Sequence, residues 1–204
     1  LELAFVPGRR CLRAREGTRG RISVRDASDG SLVRAASPRF DFEAGGETLS
    51  LAGGGTIEME GKDIGFGALA SRGGNGPASR PGVVRIECGD TARLSSSGSG
   101  RFTGGVIAES PGPEGWKLTS ERLTLGVDDQ RKPSLLAAEG RVQLSAGGRI
   151  EAQGDTLRYD RRTEWLELRG SPAAVAFSLG TFRGPFLRLN GRTLLLESGP
   201  GVIA

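Results

Sequence analysis

Apolar and polar residues alternate with a period of two along most of the chain. Leu123, Leu125 and Val127 show the pattern, as do Leu187 and Leu189. A period of two puts the apolar side chains on one face of a β-strand, whereas an amphipathic helix needs a period of about 3.6 residues. The pattern therefore predicts roughly ten to twelve short strands, each with one apolar and one polar face.

A short phrase recurs along the chain and divides it into similar units. Each unit of roughly 35 residues is too small to bury its apolar face alone, so neighbouring units must stack. The uneven spacing of the copies favours antiparallel hairpins with variable turns over a solenoid of constant coil length. A second phrase, a glycine followed by alternating apolar residues, begins at Gly55, Gly140 and Gly170. The copies of the first phrase are 46–51 (Gly-Glu-Thr-Leu-Ser-Leu), 89–94, 120–125, 154–159 and 191–196.

The alternation changes parity beside one of these glycines. Ile150 and Ala152 have one parity, Leu157 and Tyr159 have the other, and Gly154 lies between them. Such a change predicts a β-bulge or a sharp bend. The 34 glycines and 10 prolines among 204 residues support many turns and nearly exclude a helical bundle. The glycines have no G-X-Y period, which excludes collagen.

We expect a single all-β domain over residues 1–204. The repeat continues on both sides of the glycine-rich segment 71–81, which is the best candidate for a weak boundary. The longest apolar run, 173–177, is far too short for a transmembrane helix. The sequence begins at Leu1 without a recognisable signal peptide, so we expect an excised domain or a mature fragment of a larger protein.

The residues that most often carry catalysis or bind metals are scarce. Histidine is absent, which excludes histidine-based triads and zinc–histidine sites. Cys11 and Cys88 are too few for a four-cysteine metal site. They form either one disulfide, if the compartment is oxidising, or two separate buried thiols.

Acidic and aromatic residues give equally weak signs of an active site. Asp128 and Asp129 are typical of a solvated turn, and Asp155 and Asp160 are a poor carboxylate pair for glycoside hydrolysis. The two tryptophans, at positions 116 and 165, are better explained by packing at the edge of a core than by sugar stacking. We therefore expect no enzymatic activity, no cofactor and no metal.

The net charge of +4 rests on 25 arginines and 3 lysines that are interspersed with acidic residues. A nucleic-acid-binding protein clusters its basic residues in a stripe, so nucleic acid is a weak candidate. The continuous apolar face leaves two interpretations open. If the sheet stays open, that face lines a trough suited to acyl chains, and positive charge at its mouth suits phosphorylated head groups. If the sheet closes on itself, the same face is the core of a filled sandwich.

The segment 149–170 resembles the OstA-like repeat of the periplasmic lipopolysaccharide-transport proteins. In that repeat an alternating strand ends in Tyr-Asp, and a turn leads to a second strand that ends in Leu-x-Gly. The resemblance is good from Trp116 to Ile203 and faint before that. The positions that carry it are Ile150, Ala152, Leu157, Tyr159, Asp160, Leu166, Leu168 and Gly170.

The resemblance implies an open, twisted β-jelly roll of repeated antiparallel strands in the periplasm. Such domains stack edge to edge with other β-jelly-roll transport proteins, and lipopolysaccharide or a similar acylated lipid moves along their apolar groove from the inner to the outer membrane. The alternative function is a structural or adhesive module of the cell envelope, with a filled core and no lipid path. A carbohydrate-active β-helix enzyme is a third possibility, but the repeats show no clustered carboxylates. The lipid path implied by the resemblance consists of Leu123, Leu125, Val142, Leu144, Ile150, Ala152, Leu157, Tyr159, Leu166, Leu168, Val175, Phe177, Leu187, Leu189, Leu194 and Leu196.

Overall fold

In the computed structural model of the chain, the described residues form fifteen β-strands. The structure describes residues 2–5, 20–25, 32–42, 48–60, 83–95, 97–112, 115–128, 133–177, 180–191, 193 and 195–199. Within these ranges no residue is helical, and no helix long and apolar enough to cross a membrane is found. The strands are β1 (Glu2–Phe5), β2 (Gly20–Arg25), β3 (Leu32–Ser37), β4 (Arg39–Phe42), β5 (Thr48–Ala52), β6 (Gly55–Glu60), β7 (Val83–Cys88), β8 (Thr91–Ser95), β9 (Gly100–Ser110), β10 (Trp116–Val127), β11 (Pro133–Ala146), β12 (Ile150–Asp160), β13 (Trp165–Phe177), β14 (Gly180–Asn190) and β15 (Leu196–Ser198).

The all-β fold predicted from the alternation is confirmed, with a difference in strand length. Strands β9 to β14 have 11 to 14 residues each, so they are not short. Several segments that the sequence pattern separates are two halves of one strand, because a bulge changes their parity without ending the strand. The predicted parity change beside Gly154 is such a bulge, since the register of β12 shifts between Gln153 and Thr156.

The strands form one sheet in the order β1-β2-β3-β6-β7-β9-β10-β11-β12-β13-β14-β15. Strands β4, β5 and β8 branch from this path, because β5 pairs with β4 and β8, and β8 pairs with β9. Strand β9 therefore has two partners on one side: residues 107–109 pair with β7, and residues 100–102 pair with β8. The pairings are antiparallel as predicted, except that β1 and β2 are parallel.

Bends in neighbouring strands lie next to one another and form a line across the sheet, which we call the corner line. Its continuity is visible in the backbone: the Gly54 amide donates to the Asp90 carbonyl at 2.6 Å, and the Gly89 amide donates to the Gly104 carbonyl at 3.0 Å. The corners are Pro38, 53–54, 89–90, 104–105, 120–121, 140–141, 154–155, 170–172 and 184–185.

The corner line divides the sheet into two layers. Layer 1 contains β1, β2, β3, β6, β7 and residues 106–110, 116–119, 142–146, 150–153, 173–177 and 180–183. Layer 2 contains β4, β5, β8, β15 and residues 100–103, 122–127, 133–139, 156–160, 165–169 and 186–190. An apolar face is buried only when something covers it, and the apolar faces of both layers belong to one buried cluster. The sheet is thus folded over along its corner line, with each layer covering the other.

Glycine is required at several corners because neighbouring backbones approach closely. A Cβ atom on Gly154 would lie 2.7 Å from the Arg169 carbonyl oxygen, and one on Gly170 would lie 3.0 Å from the Gly154 Cα. Gly104 adopts a φ of +88°, which residues with a side chain rarely adopt. Among the glycines that begin the repeated phrases, Gly89, Gly140, Gly154 and Gly170 therefore lie where strands bend and cross-pack.

Candidate functional site

The apolar residues assigned to the lipid path lie together on the facing inner sides of the two layers. All of those within the described ranges belong to the buried cluster or pack against it. Phe177 and Leu196 are only partly buried, and Leu194 lies outside the described residues. The structure therefore brings the predicted set into one continuous apolar region.

Cross-strand register arranges these residues in rows that run across the strands. In layer 2 one row consists of Leu123, Ala138, Leu157, Leu168 and Leu187, each directly opposite the next in the neighbouring strand. Residues directly opposite each other in an antiparallel pair have Cβ atoms about 4.5–5.5 Å apart, so these side chains contact one another. The apolar region is therefore continuous along the direction in which the strands stack.

A parallel row crosses layer 1 on the other side of the same region. It consists of Leu118, Leu144, Ala152, Val175 and Phe182, again in direct register. The two rows lie on either side of the corner line. A bulge lies between the two rows on each strand. Because the bulge adds a residue, the parity of the apolar residues changes there, and the apolar side chains of both rows point to the inner side.

Water is excluded from the middle of this region. Leu123, Leu157 and Leu187 are each 1 % exposed, and so is Val142 in the opposite layer. An open trough would leave such side chains accessible to solvent. The centre of the two layers is therefore closed by the protein's own side chains in this structure.

Apolar side chains become accessible towards the sides of the folded sheet. At the carboxyl-terminal side, Phe177 and Phe182 are partly buried, and their rings meet edge to face with centroids 6.0 Å apart. Leu196 is partly buried at the same side of layer 2. At the opposite side, Phe40 and Leu94 are likewise only partly buried. Both sides of the sheet thus present apolar residues that lead into the buried rows.

The outer faces are polar, and on layer 1 their charges alternate in sign from strand to strand. Arg34, Glu58, Arg85, Glu109 and Lys117 occupy successive strands in direct register. In layer 2, the Arg188 guanidinium lies over the Trp165 ring, 4.1 Å from its centroid, and pairs with the Glu167 carboxylate at 3.3 Å. The two side chains of this pair are half-buried, 36 % and 32 % exposed, and they mark the polar outer face of layer 2.

A shallow groove of about 600 Å³ crosses the outer face of layer 1. Lys117 and Arg183 line it together with the amide side chains of Gln143 and Gln153, which face each other in β11 and β12. The sequence pattern did not single out this groove, because its residues look like ordinary outward polar positions. The register of the two glutamines is known only from the strand pairing, so the sequence offers no signal for this groove.

The aspartates that the sequence analysis considered as candidate carboxylate pairs do not form an active site among the described residues. The Asp160 Oδ1 atom accepts hydrogen bonds from the backbone amides of Arg162 and Thr163 at 2.9 and 3.2 Å, so it caps a turn. Asp155 is exposed at a corner. Asp129 lies outside the described residues. Among the residues that the structure describes, no group of three histidines, cysteines or acidic residues that could hold a metal ion is found.

Cys88 lies at the end of β7, with only 7 % of its surface exposed. Burial raises the pKa of its thiol, and a backbone hydrogen bond from Gly55 opposes this rise. Cys11 lies outside the described residues. The two alternatives, one disulfide or two separate buried thiols, therefore both stay predictions.

Comparison with known proteins gave a match among solved structures. No family model and no curated protein matches the chain. The chain is similar to LptH from Pseudomonas aeruginosa, described as the LptA homologous periplasmic component of the conserved lipopolysaccharide transport device. The match has a TM-score of 0.48 and 20 % sequence identity, and it covers 57 % of this chain and 81 % of LptH. This similarity concerns the fold and assigns no function to the chain.

Proposed function

We propose that the chain is a lipid-binding domain of the periplasm that bridges the inner and outer membranes. In this proposal the acyl chains of lipopolysaccharide, or of a similar lipid, lie between the two layers and contact their inner rows. The observation that carries the proposal is the continuity of those rows, which cross the stacked strands and end in partly exposed apolar residues on both sides. The OstA-like pattern of segment 149–170 supports it independently. The chain acts without chemistry of its own, as a path for the lipid.

Because the centre is closed, the lipid must separate the layers as it enters. We place the point at which it enters at the carboxyl-terminal side, where Phe177 and Phe182 are the outermost aromatic residues of layer 1. Acyl chains that displace these rings replace one apolar contact by another, so the hydrophobic cost of opening is small. The residues that line the path beyond this point are those of the inner rows.

The same side offers a docking edge for a second β-sheet protein. Residues 180–183 form the last strand of layer 1 in the described part of the chain, and β15 is the last strand of layer 2. An edge strand has free backbone amides and carbonyls that a strand of another protein can pair with. We propose that other β-jelly-roll transport proteins bind here, so that the apolar region continues from one domain to the next.

Site-specific crosslinking tests the lipid path. A photo-reactive amino acid replaces Phe182 at the side of the sheet or Leu157 at its centre, and the protein is irradiated with purified lipopolysaccharide. We expect lipid adducts at both positions. The matched controls are Thr181 and Arg158, which neighbour these two residues but point outwards. Absence of adducts at both inner positions, or equal adducts at the controls, overturns the proposal.

A second function, a structural or adhesive module of the cell envelope, is favoured by one observation. Leu123 and Leu157 are 1 % exposed, as expected of a core that never opens. In that case the inner positions yield no lipid adducts, and lipopolysaccharide leaves the melting temperature unchanged. A lipid that binds only the folded state raises the melting temperature, and the rise continues to grow with the logarithm of the lipid concentration above the Kd.

A further inference from the structure

Two arginines face each other on the outer side of layer 2. Arg93 in β8 lies directly opposite Arg101 in β9, and both are exposed. Residues that face each other across an antiparallel pair have Cβ atoms about 5 Å apart, and like charges in such a position repel each other. The arrangement therefore opposes folding unless something else compensates it.

The pair is an exception in this chain. Every other pair of charged residues directly opposite in an antiparallel pairing of the described strands combines one basic and one acidic residue. A sheet that avoids like-charge pairs so consistently makes the arginine pair a specific feature of β8 and β9. The pairs of opposite sign are Arg34–Glu58, Glu58–Arg85, Arg85–Glu109, Glu109–Lys117, Arg122–Glu139, Arg158–Glu167, Glu167–Arg188 and Arg188–Glu197.

The surroundings of the pair do not neutralise it. Its neighbours in the same cross-strand row are Ser50 in β5 and Thr124 in β10, which carry no charge. Within the described ranges neither arginine takes part in an ion pair. The pair is thus a concentration of positive charge without a carboxylate partner.

Nearby carboxylates are engaged elsewhere. The Asp41 carboxylate, two strands away, pairs with the Arg39 guanidinium at 3.1 Å. The Asp90 carboxylate accepts a hydrogen bond from the Thr103 hydroxyl at 3.3 Å. Within the described residues neither carboxylate forms an ion pair with Arg93 or Arg101.

Serine hydroxyls border the pair on the hairpin that joins β8 to β9. Ser95 lies two residues after Arg93, and Ser99 two residues before Arg101, so both share the outer face with the arginines. The hydroxyl oxygens of Ser95 and Ser99 are 2.7 Å apart, and that of Ser97 lies 2.5 Å from Ser95. Hydroxyl groups of this kind are further donors for an anion held by the guanidinium groups.

We propose that Arg93 and Arg101 form a binding site for a phosphate group, with the hairpin serines as supporting donors. Each guanidinium offers two parallel N–H donors that match two phosphate oxygens, and the anion removes the repulsion between the two arginines. The site lies on the outer face, so it is separate from the inner lipid path and does not rest on it. The phosphate belongs either to a free anion or to the head group of a membrane lipid.

Titration with pyrophosphate, followed by NMR of backbone amides, tests the site. We expect the largest shifts in residues 93–101 and at least about a tenfold loss of affinity in Arg101→Gln and in Arg93→Gln. Because either change also removes the like-charge repulsion, both variants should melt at the same temperature as the wild type or higher without ligand. A variant that melts no lower than the wild type but no longer binds pyrophosphate has lost the binding site and not the fold.

The matched control is Arg158→Gln. Arg158 is also an exposed arginine of layer 2, but it lies in β12, three strands from β9, and faces Glu167 directly. Pyrophosphate affinity should stay within about twofold of the wild type in this variant, since an exposed charge at that distance contributes little to the site. An equal loss of affinity in Arg158→Gln would show that binding follows net charge, and this would overturn the proposal.

Cosedimentation with vesicles distinguishes the two sources of phosphate. Vesicles that contain phosphatidic acid are compared with vesicles of phosphatidylcholine alone, with wild type and Arg101→Gln. Arginine-dependent binding to phosphatidic acid but not to pyrophosphate assigns the site to a lipid head group, and binding to both assigns it to phosphate in general. Binding to neither probe overturns the proposal. Crosslinking at Leu157 is independent of these outcomes.

Discussion

Two adjacent glycines at one corner provide a sharp test of the folded-over sheet. Gly104 and Gly105 both have positive φ values, +88° and +75°. A Cβ atom on Gly105 would meet no atom within 4 Å, whereas one on Gly104 would lie 2.5 Å from the Asp90 backbone nitrogen. Replacing each by alanine therefore imposes a similar backbone strain, but only Gly104→Ala drives the neighbouring corners apart.

The expected costs follow from these contacts. Alanine in the left-handed region costs roughly 1–2 kcal/mol, and the lower entropy of the unfolded chain offsets about 0.4–1 kcal/mol of that, so Gly105→Ala should cost about 1 kcal/mol. Gly104→Ala adds about 1–3 kcal/mol of overpacking against the Asp90 backbone. It also weakens two hydrogen bonds, Gly89 N to Gly104 O at 3.0 Å and Asp90 N to Thr103 O at 3.1 Å. With about 1 kcal/mol for each of these bonds, its total cost is about 4 kcal/mol or more.

Unfolding in urea, followed by circular dichroism of the β-sheet, gives the free energies of the wild type and both variants. For a protein of this size each kcal/mol lowers the melting temperature by roughly 2–4 °C, so the two variants should be well separated. If Gly104→Ala lay within about 1 kcal/mol of Gly105→Ala, the close approach of the corners would be refuted.

Two further outcomes are expected. Leu157→Ala should lower the free energy of unfolding by about 2–5 kcal/mol, because it leaves a cavity at the centre of the core. Its control, Leu195→Ala, changes a residue that is 52 % exposed and should cost less than about 0.5 kcal/mol. Equal losses in urea unfolding would contradict a closed centre. Burial raises the pKa of the Cys88 thiol above its ordinary value of 9.0, so the folded state holds the thiol proton more tightly than the unfolded state does. The stability that this difference contributes is fully present below about pH 9, and it is lost as the pH rises through the folded pKa. Under reducing conditions the wild type should therefore lose more stability than Cys88→Ala between about pH 8 and pH 10, and identical pH profiles in guanidinium unfolding would contradict this.

Local features of the fold follow from the sequence because they depend on residues close together in the chain. Alternation identifies the strands, and the parity change beside Gly154 predicts its bulge. Of the glycines that begin the second repeated phrase, Gly140 and Gly170 lie at the corner line, and Gly55 directly follows the corner at 53–54. Gly191 of the first phrase lies instead in the turn after β14, so the phrase alone does not identify every corner.

Features that depend on partners far apart in the chain are not contained in the pattern. Strand β3 pairs with β6 because the chain passes through layer 2 in between, and alternation carries no record of that route. The parallel pairing of β1 with β2 is equally invisible. The repulsion between Arg93 and Arg101 appears only once the register of β8 and β9 is known.

The sequence does not determine whether the apolar region is an open groove or a filled core, and the reason is again physical. Leu157 and Leu168 alternate in the same way whether their face lines a groove or fills a core. Only the distance between the layers separates the two cases, and this distance depends on the angle at the corners. The identity of the inner residues was therefore predictable, while their burial was not.

The corner line has a mechanical consequence. Each long strand crosses it, so the two layers are halves of the same strands and cannot slide past each other or part as separate bodies. The remaining motion is a change of the angle between the layers about the corner line. Such a motion widens the space between the layers far more at the hairpin tips than beside the corner line. A crosslink between opposing tips would therefore hold the layers together, whereas a crosslink beside the corner line would leave them free to open.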